Sequence, residues 1–121
     1  MRFTKVLTGF GLAASLALIG TGAQAHAHLL KSSPAADATV AAPAALELSF
    51  SEKLEPKFSA VELMTAKGDG IEVASAVDAK DGKSIKAAPK APLKPGAYMV
   101  MWHVGSADGH KMKGDYNFTV K

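Results

Sequence analysis

Hydrophobic and polar residues alternate along four segments of the chain, as they do in β-strands that bury one face. The apolar positions are Leu46, Leu48 and Phe50, then Val61 and Leu63, then Tyr98, Val100, Trp102 and Val104, and finally Tyr116, Phe118 and Val120. Three weaker segments complete a set of about seven predicted strands: His28 to Lys31, Ile71 to Ala76 and Ser84 to Ala88. No segment of useful length shows a helical period.

Turn-forming residues separate these predicted strands. They occur as KGDG at 67–70, DG at 81–82 and PG at 95–96, and such residues tolerate positive φ or preset a turn. The segment Ser33 to Pro43 is rich in Ala and Pro, so we predict a loop there. Short strands at this spacing predict an all-β domain, either an antiparallel sandwich or a Greek-key barrel.

The first 25 residues have the three parts of a secretory signal peptide. Arg2 and Lys5 form a positive start, an apolar stretch follows at 6–19, and Ala-Gln-Ala at 23–25 supplies small residues for cleavage. A membrane anchor needs about 20 consecutive apolar residues, which this stretch does not reach. We therefore predict a signal peptide at 1–25 and one domain at 26–121, with no membrane span after cleavage.

The composition limits the chemistry of that domain. The chain has no cysteine, so disulfides and thiolates are excluded, and any metal must be held by nitrogen, carboxylate oxygen or thioether. Removal of Arg2 and Lys5 leaves 12 basic and 11 acidic side chains, a net charge of +1. This near-neutral balance gives no reason to expect a nucleic-acid partner.

Cleavage after Ala25 makes His26 the first residue of the exported chain. Its free α-amine and its ring Nδ1 can then chelate one metal ion together. His28 lies two residues further on and faces the same side of an extended chain, so we expect it as a possible auxiliary ligand. Cleavage after Ala27 is the alternative and would put His28 first; we favour the cut before His26.

The second half of a metal site is predicted at Asp108-Gly109-His110. Residues two apart in an extended segment point the same way, so the Asp108 carboxylate and the His110 ring can converge. With His26 they make three nitrogen donors and one oxygen donor, a set that favours Cu(II) or Ni(II), and Cu(II) leads the affinity order. The competing interpretations are a disordered terminus and an ordinary solvated turn.

These residues resemble the landmarks of the CopC copper-resistance family of periplasmic copper carriers. The matching segments, in order, are HAHLLKSSPA at 26–35, LELSFSE at 46–52, PGAY at 95–98 with Trp102, and SADGH at 106–110 with Gly114. The similarity spans essentially the whole chain after the leader.

The resemblance implies an all-β, cupredoxin-like or Ig-like, seven-stranded Greek-key barrel or sandwich. It implies one Cu(II) per chain, held by the His26 amine and ring, Asp108 and His110. Some family members also hold Cu(I) in a methionine-rich loop, but the stretch from Met64 to Lys86 has one methionine and no histidine. The chain therefore resembles a Cu(II)-only member.

From this resemblance we expect a periplasmic monomer that is not an enzyme and serves copper sequestration, transport or resistance. An inner-membrane copper transporter of the CopD type is the expected partner. The alternatives are a metal-free β-sandwich interaction module and a histidine-brace copper oxidase. Met99, Met101 and His103 share one strand face and form a second candidate for a soft ion such as Cu(I), although gap-filling by methionine is the favoured interpretation.

Overall fold

The computed structural model describes residues 27–121, so the predicted leader and His26 lie outside the described residues. The described chain forms nine β-strands and one 3₁₀ helix, Pro56–Phe58. The strands are β1 (Leu29–Ser33), β2 (Thr39–Val40), β3 (Leu46–Phe50), β4 (Ala60–Thr65), β5 (Gly70–Ile71), β6 (Val73–Val77), β7 (Ser84–Pro89), β8 (Gly96–Gly105) and β9 (Lys111–Val120). No helix within residues 27–121 is long and apolar enough to cross a membrane.

The strands form two sheets packed face to face. One sheet has the order β1-β3-β7-β6, and the other has the order β2-β9-β8-β4-β5. All pairs are antiparallel except β2 with β9. The predicted sandwich is confirmed. The sheets are not closed into a barrel, because each keeps two edge strands: β1 and β6 in one sheet, β2 and β5 in the other.

The number and limits of the strands differ from the prediction in two places. The predicted loop from Ser33 to Pro43 contains β2, whose Thr39 and Val40 pair with β9; two residues are too few to show alternation. The predicted strand Ile71 to Ala76 is divided at Glu72, because β5 pairs with β4 and β6 pairs with β7 in the other sheet. The seven predicted strands therefore become seven strands of at least five residues and two short ones.

The core lies between the sheets and is built from the predicted apolar positions. Leu46, Leu48 and Phe50 of β3 face Val61, Leu63, Val100 and Phe118 of the other sheet, and all are at most 2% exposed. This alternation of buried and exposed residues along each strand is what the sequence pattern predicts.

Trp102 closes the core near the end of β3. Its ring meets the Phe50 ring edge-on, with centroids 5.2 Å apart and planes at 71°, an arrangement that adds to the burial energy of both rings. Trp102 is paired with Gly114 of β9, and a Cβ at Gly114 would overlap the indole. Glycine is therefore required opposite Trp102, because the indole occupies the space that a side chain at position 114 would need.

Candidate metal centre

The predicted Asp-Gly-His motif lies in the tight loop 106–110 that joins β8 to β9. The Ser106 N–H donates to the His110 carbonyl at 2.9 Å, and the Gly109 N–H donates to the Ser106 carbonyl at 2.9 Å. Gly109 has φ of +94°, a conformation that costs glycine little and other residues much more. The loop is thus closed by its own backbone hydrogen bonds, which hold its five residues in one conformation.

The structure brings the side chains of Asp108 and His110 together. Asp108 Oδ2 lies 3.0 Å from His110 Nδ1, while Asp108 Oδ1 accepts the His110 backbone N–H at 3.1 Å. The two side chains are 41% and 53% exposed, so a solvated ion can reach both. The convergence predicted from the spacing of these residues is present.

Ser106 stabilises the ionised form of Asp108. Its hydroxyl donates to Asp108 Oδ1, and this bond, with the His110 backbone N–H as the next contribution, lowers the pKa of Asp108 to about 2. A carboxyl group with that pKa is ionised at any pH near neutrality. The loop therefore presents an anionic oxygen beside an imidazole, two of the donor types that divalent transition metals prefer.

The start of the described chain is anchored to the segment that follows β3. Ala27 is 2% exposed and belongs to the core. The His28 backbone N–H donates to Ser51 Oγ at 2.9 Å, and the Ser51 N–H returns a bond to the His28 carbonyl at 2.9 Å. The His28 side chain is exposed. The backbone that follows His26 is thus fixed to the segment just after β3.

That same segment touches the Asp108 loop. Leu54 forms a β-bridge with Ser106, and the Glu55 N–H donates to the Gly105 carbonyl at 2.7 Å. Glu52 and Lys53 line one surface depression together with Asp108. Ser51 and Leu54 are three positions apart, a chain length of at most about 10 Å. The anchored start of the domain and the late loop therefore lie at the same end of the sandwich.

Within residues 27–121 no three His, Asp or Glu side chains converge to form a metal-binding group. Asp108 and His110 supply two donors, and the structure does not add His28 to them as a third. The remaining predicted donor, His26, lies outside the described residues. The described pair fits one half of the predicted site in donor type, charge and access.

A family model, the CopC domain, matches residues 29–121. The chain belongs to the CopC family. Among its CopC relatives, copper resistance protein C of Xanthomonas campestris pv. juglandis is 45% identical over 116 residues, which is 91% of this chain and 90% of the relative. The resemblance predicted from the sequence is confirmed.

Solved CopC-family structures have the same fold. The crystal structure of PcoC, a methionine-rich copper resistance protein from Escherichia coli, has a TM-score of 0.73 and 40% identity, covering 80% of this chain and 100% of that one. The structure of CopC from Methylosinus trichosporium OB3b has a TM-score of 0.74 and 31% identity, covering 79% and 94% respectively. This CopC sandwich therefore follows its family in architecture.

Two serines position the candidate site of this CopC-family chain, one in the late loop and one at the start of the described chain, and the sequence pattern assigned a role to neither. Ser106 holds Asp108 and Ser51 holds the backbone of His28. Ser106 lies two residues from Asp108, and this closeness in the sequence is a local signal by which Ser106 could have been found. Ser51 carries no such local signal, because its partner is 23 residues away.

Proposed function

We propose that this CopC-family chain is an exported, periplasmic Cu(II)-binding protein that holds one ion through His26, Asp108 and His110. The observation that carries the proposal is the Asp108–His110 pair, held by Ser106 at the end of the sandwich where Ala27 is anchored. The relatives' names as copper resistance proteins support copper as the ion.

The proposal assigns the fixed half of the site to the late loop. Asp108 supplies a carboxylate that is ionised at neutral pH, and the bonds from Ser106 and the His110 N–H keep it ionised further into acid by lowering its pKa. His110 supplies an imidazole nitrogen. The His110 Nδ1 and Asp108 Oδ2 atoms are 3.0 Å apart, a separation that two neighbouring ligands of one ion can have.

The other half depends on proteolysis of the leader. Cleavage after Ala25 would give His26 a free α-amine, which binds the same ion as its ring. His26 is covalently next to the buried Ala27, so one peptide bond would tether its donors to the core. A donor pair tethered that closely to the core loses little conformational freedom on binding.

The proposed role is capture and release, not turnover. The amine and imidazole nitrogens bind only when unprotonated, so the affinity for Cu(II) falls as the medium becomes acidic. Sequestration, transport and copper resistance all need this reversible binding. A membrane copper transporter of the CopD type is the partner we propose for the bound ion, and a monomer is the proposed functional unit.

Cu(II) titration of the processed protein, followed by electron paramagnetic resonance, tests the proposal. Intact mass first establishes whether the exported chain begins at His26. We expect one Cu(II) per chain with a nitrogen-rich spectrum, and we expect His110→Ala to weaken binding by at least about tenfold, the lower end of the effect of altering a metal's surroundings.

The matched control is His103→Ala, which removes an exposed imidazole that lies outside the proposed site. It should leave the titration unchanged. A second variant carries one extra alanine between Ala25 and His26, which keeps every side chain but moves the free amine away from His26. Cu(II) binding of wild-type strength in this variant and in His110→Ala would refute the proposed ligands.

A further inference from the structure

Three methionines lie on the outer face of the five-stranded sheet, the face turned away from the core. They are Met64 of β4 and Met99 and Met101 of β8, here called the methionine face. Met64 is paired directly with Met99 across the two strands, which places their Cβ atoms about 5 Å apart. Met99 and Met101 are two residues apart on one strand, about 6.6 Å. Three thioethers thus share one small area.

The three methionines of the methionine face do not pack into the core. Met112 is packed against the core from the inner side of its sheet. Met64, Met99 and Met101 alternate instead with the buried residues Leu63 and Val100 and are themselves half-buried on the outside. Filling gaps in the core therefore accounts for Met112 and not for these three.

Carboxylates flank the methionine face. Met101 is paired with Glu62 on one side and with Asp115 on the other, so a row of carboxylate, thioether and carboxylate crosses the sheet. Glu62, Met64 and Met101 also line one surface depression of about 400 Å³ beside β5. Negative charge next to neutral thioethers favours a cation over an anion or a neutral ligand.

His103 is not a member of this group, although it lies on the same side of β8. Its Nδ1 is 3.3 Å from the Phe58 carbonyl oxygen, and its cross-strand neighbours are Ala60 and Lys113. The positive charge of Lys113 makes that end of β8 less suitable for a cation. The soft-ion group predicted from the sequence, Met99 with Met101 and His103, therefore differs from the group on the methionine face, which has Met64 in place of His103.

We propose that Met64, Met99 and Met101 form a binding site for a soft monovalent cation, Cu(I), with Glu62 and Asp115 supplying the surrounding negative charge. Thioethers select Cu(I) among the biological first-row ions, and methionine's three rotatable bonds let sulfurs at these separations turn to one point. Met64 is the single methionine between 64 and 86; strand pairing adds the two thioethers that this stretch lacks. The site does not depend on His26, Asp108 or His110.

Silver(I) is the probe for this site, because it is a soft monovalent ion that needs no reductant. The processed protein, with its methionine methyl groups labelled with carbon-13, is titrated with silver nitrate in chloride-free buffer and followed by NMR. We expect saturable shifts of the methyl signals of Met64, Met99 and Met101 at one Ag(I), with the Met112 methyl signal unchanged. Shifts led by Met112, or by none of the methionines, would overturn the proposal.

Methionine-to-leucine variants give the decisive comparison, since this exchange nearly conserves volume and keeps the fold. We expect Met101→Leu to weaken Ag(I) binding by at least about tenfold and the triple variant Met64→Leu, Met99→Leu, Met101→Leu to abolish it, whereas Met112→Leu has no effect. Trp102 fluorescence confirms that each variant is folded. A triple variant that binds Ag(I) like the wild type rules the site out.

A second pair of measurements separates this site from the proposed Cu(II) site. The variant Asp108→Asn with His110→Ala should keep the methionine shifts with Ag(I), and the triple methionine variant should keep its Cu(II) titration. Loss of the methionine shifts in the Asp108 and His110 variant would mean that Ag(I) binds in the late loop and would contradict the proposal.

Discussion

The loop 106–110 and the methionine face are two candidate metal-binding regions built in opposite ways. In the loop, Asp108 and His110 are two residues apart and are held by bonds among residues at most four positions apart. On the methionine face, Met64 and Met99 are 35 positions apart and meet only because β4 pairs with β8 in one register. The first region depends on a turn, and the second depends on the sheet.

This difference has a physical consequence for how each region tolerates change. A shift of one residue in the β4–β8 register would turn every β4 side chain to the other face, and Met64 would leave the methionine face. The same shift would leave the bonds inside the loop intact. Substitutions in the shared core should therefore affect both regions, and substitutions in the loop should affect one.

Phe50→Ala is the substitution with the largest expected effect, because it weakens the support of both regions. Phe50 is 2% exposed and its ring contacts Trp102 of β8. Replacing a buried phenylalanine with alanine costs about 3–5 kcal/mol of unfolding free energy. Urea denaturation followed by Trp102 fluorescence measures this loss. Phe50→Leu should cost less, and a loss for Phe50→Ala under about 1 kcal/mol would show that Phe50 is not an anchor of β8.

The same contrast explains what the sequence predicts well. Period-two alternation predicts the sandwich and the buried faces, since it depends on neighbours along one strand. The i, i+2 spacing predicts the convergence of Asp108 and His110 for the same reason. The expectation for Met99 and Met101 included His103 and omitted Met64, because strand pairing is set by packing between distant segments and leaves no local pattern.

The errors in the strand limits have a related origin. Residues 71–76 alternate between half-buried and exposed without interruption, yet the chain changes sheets at Glu72, which alternation alone does not reveal. β2 has only two residues and is defined by its pairing with the end of β9. The placement of His26 stays a prediction, because it depends on a cleavage event and lies outside the described residues.

Ser106→Ala should separate the two regions. It removes the hydroxyl that donates to Asp108 and leaves the His110 N–H bond in place. Without the Ser106 hydroxyl Asp108 is less ordered, and we expect Cu(II) affinity at neutral pH to fall by about tenfold, as for other residues that support a metal ligand. Isothermal titration with Cu(II) measures the change.

The control for Ser106→Ala is Ser49→Ala, which removes a partly buried hydroxyl from β3, bonded to Ser84 at 3.4 Å. Ser49→Ala should keep the wild-type Cu(II) affinity, and Ser106→Ala should keep the methionine shifts with Ag(I). Equal losses of Cu(II) affinity in both serine variants would indicate a general loss of stability and contradict a specific role for Ser106.

Asp81→Asn should have the smallest effect, and its pH dependence distinguishes charge from shape. Asp81 Oδ1 accepts the Lys83 N–H at 2.8 Å in the turn between β6 and β7, and this bond is the main reason that the pKa of Asp81 is lowered from the usual 3.8. Because the pKa is lower in the folded state, the ionised carboxylate stabilises the fold at pH values above the usual pKa. This contribution disappears as the pH falls through the folded-state pKa. The variant should therefore melt slightly below the wild type at neutral pH, and the two melting temperatures should converge in strong acid, as measured by circular dichroism.

The Cu(II) affinity of Asp81→Asn tests whether the late loop is independent of this turn, because Lys83 lines the depression beside Asp108. We expect no change in affinity, since the loop is held by its own bonds. A changed affinity would show that the turn takes part in the late-loop site.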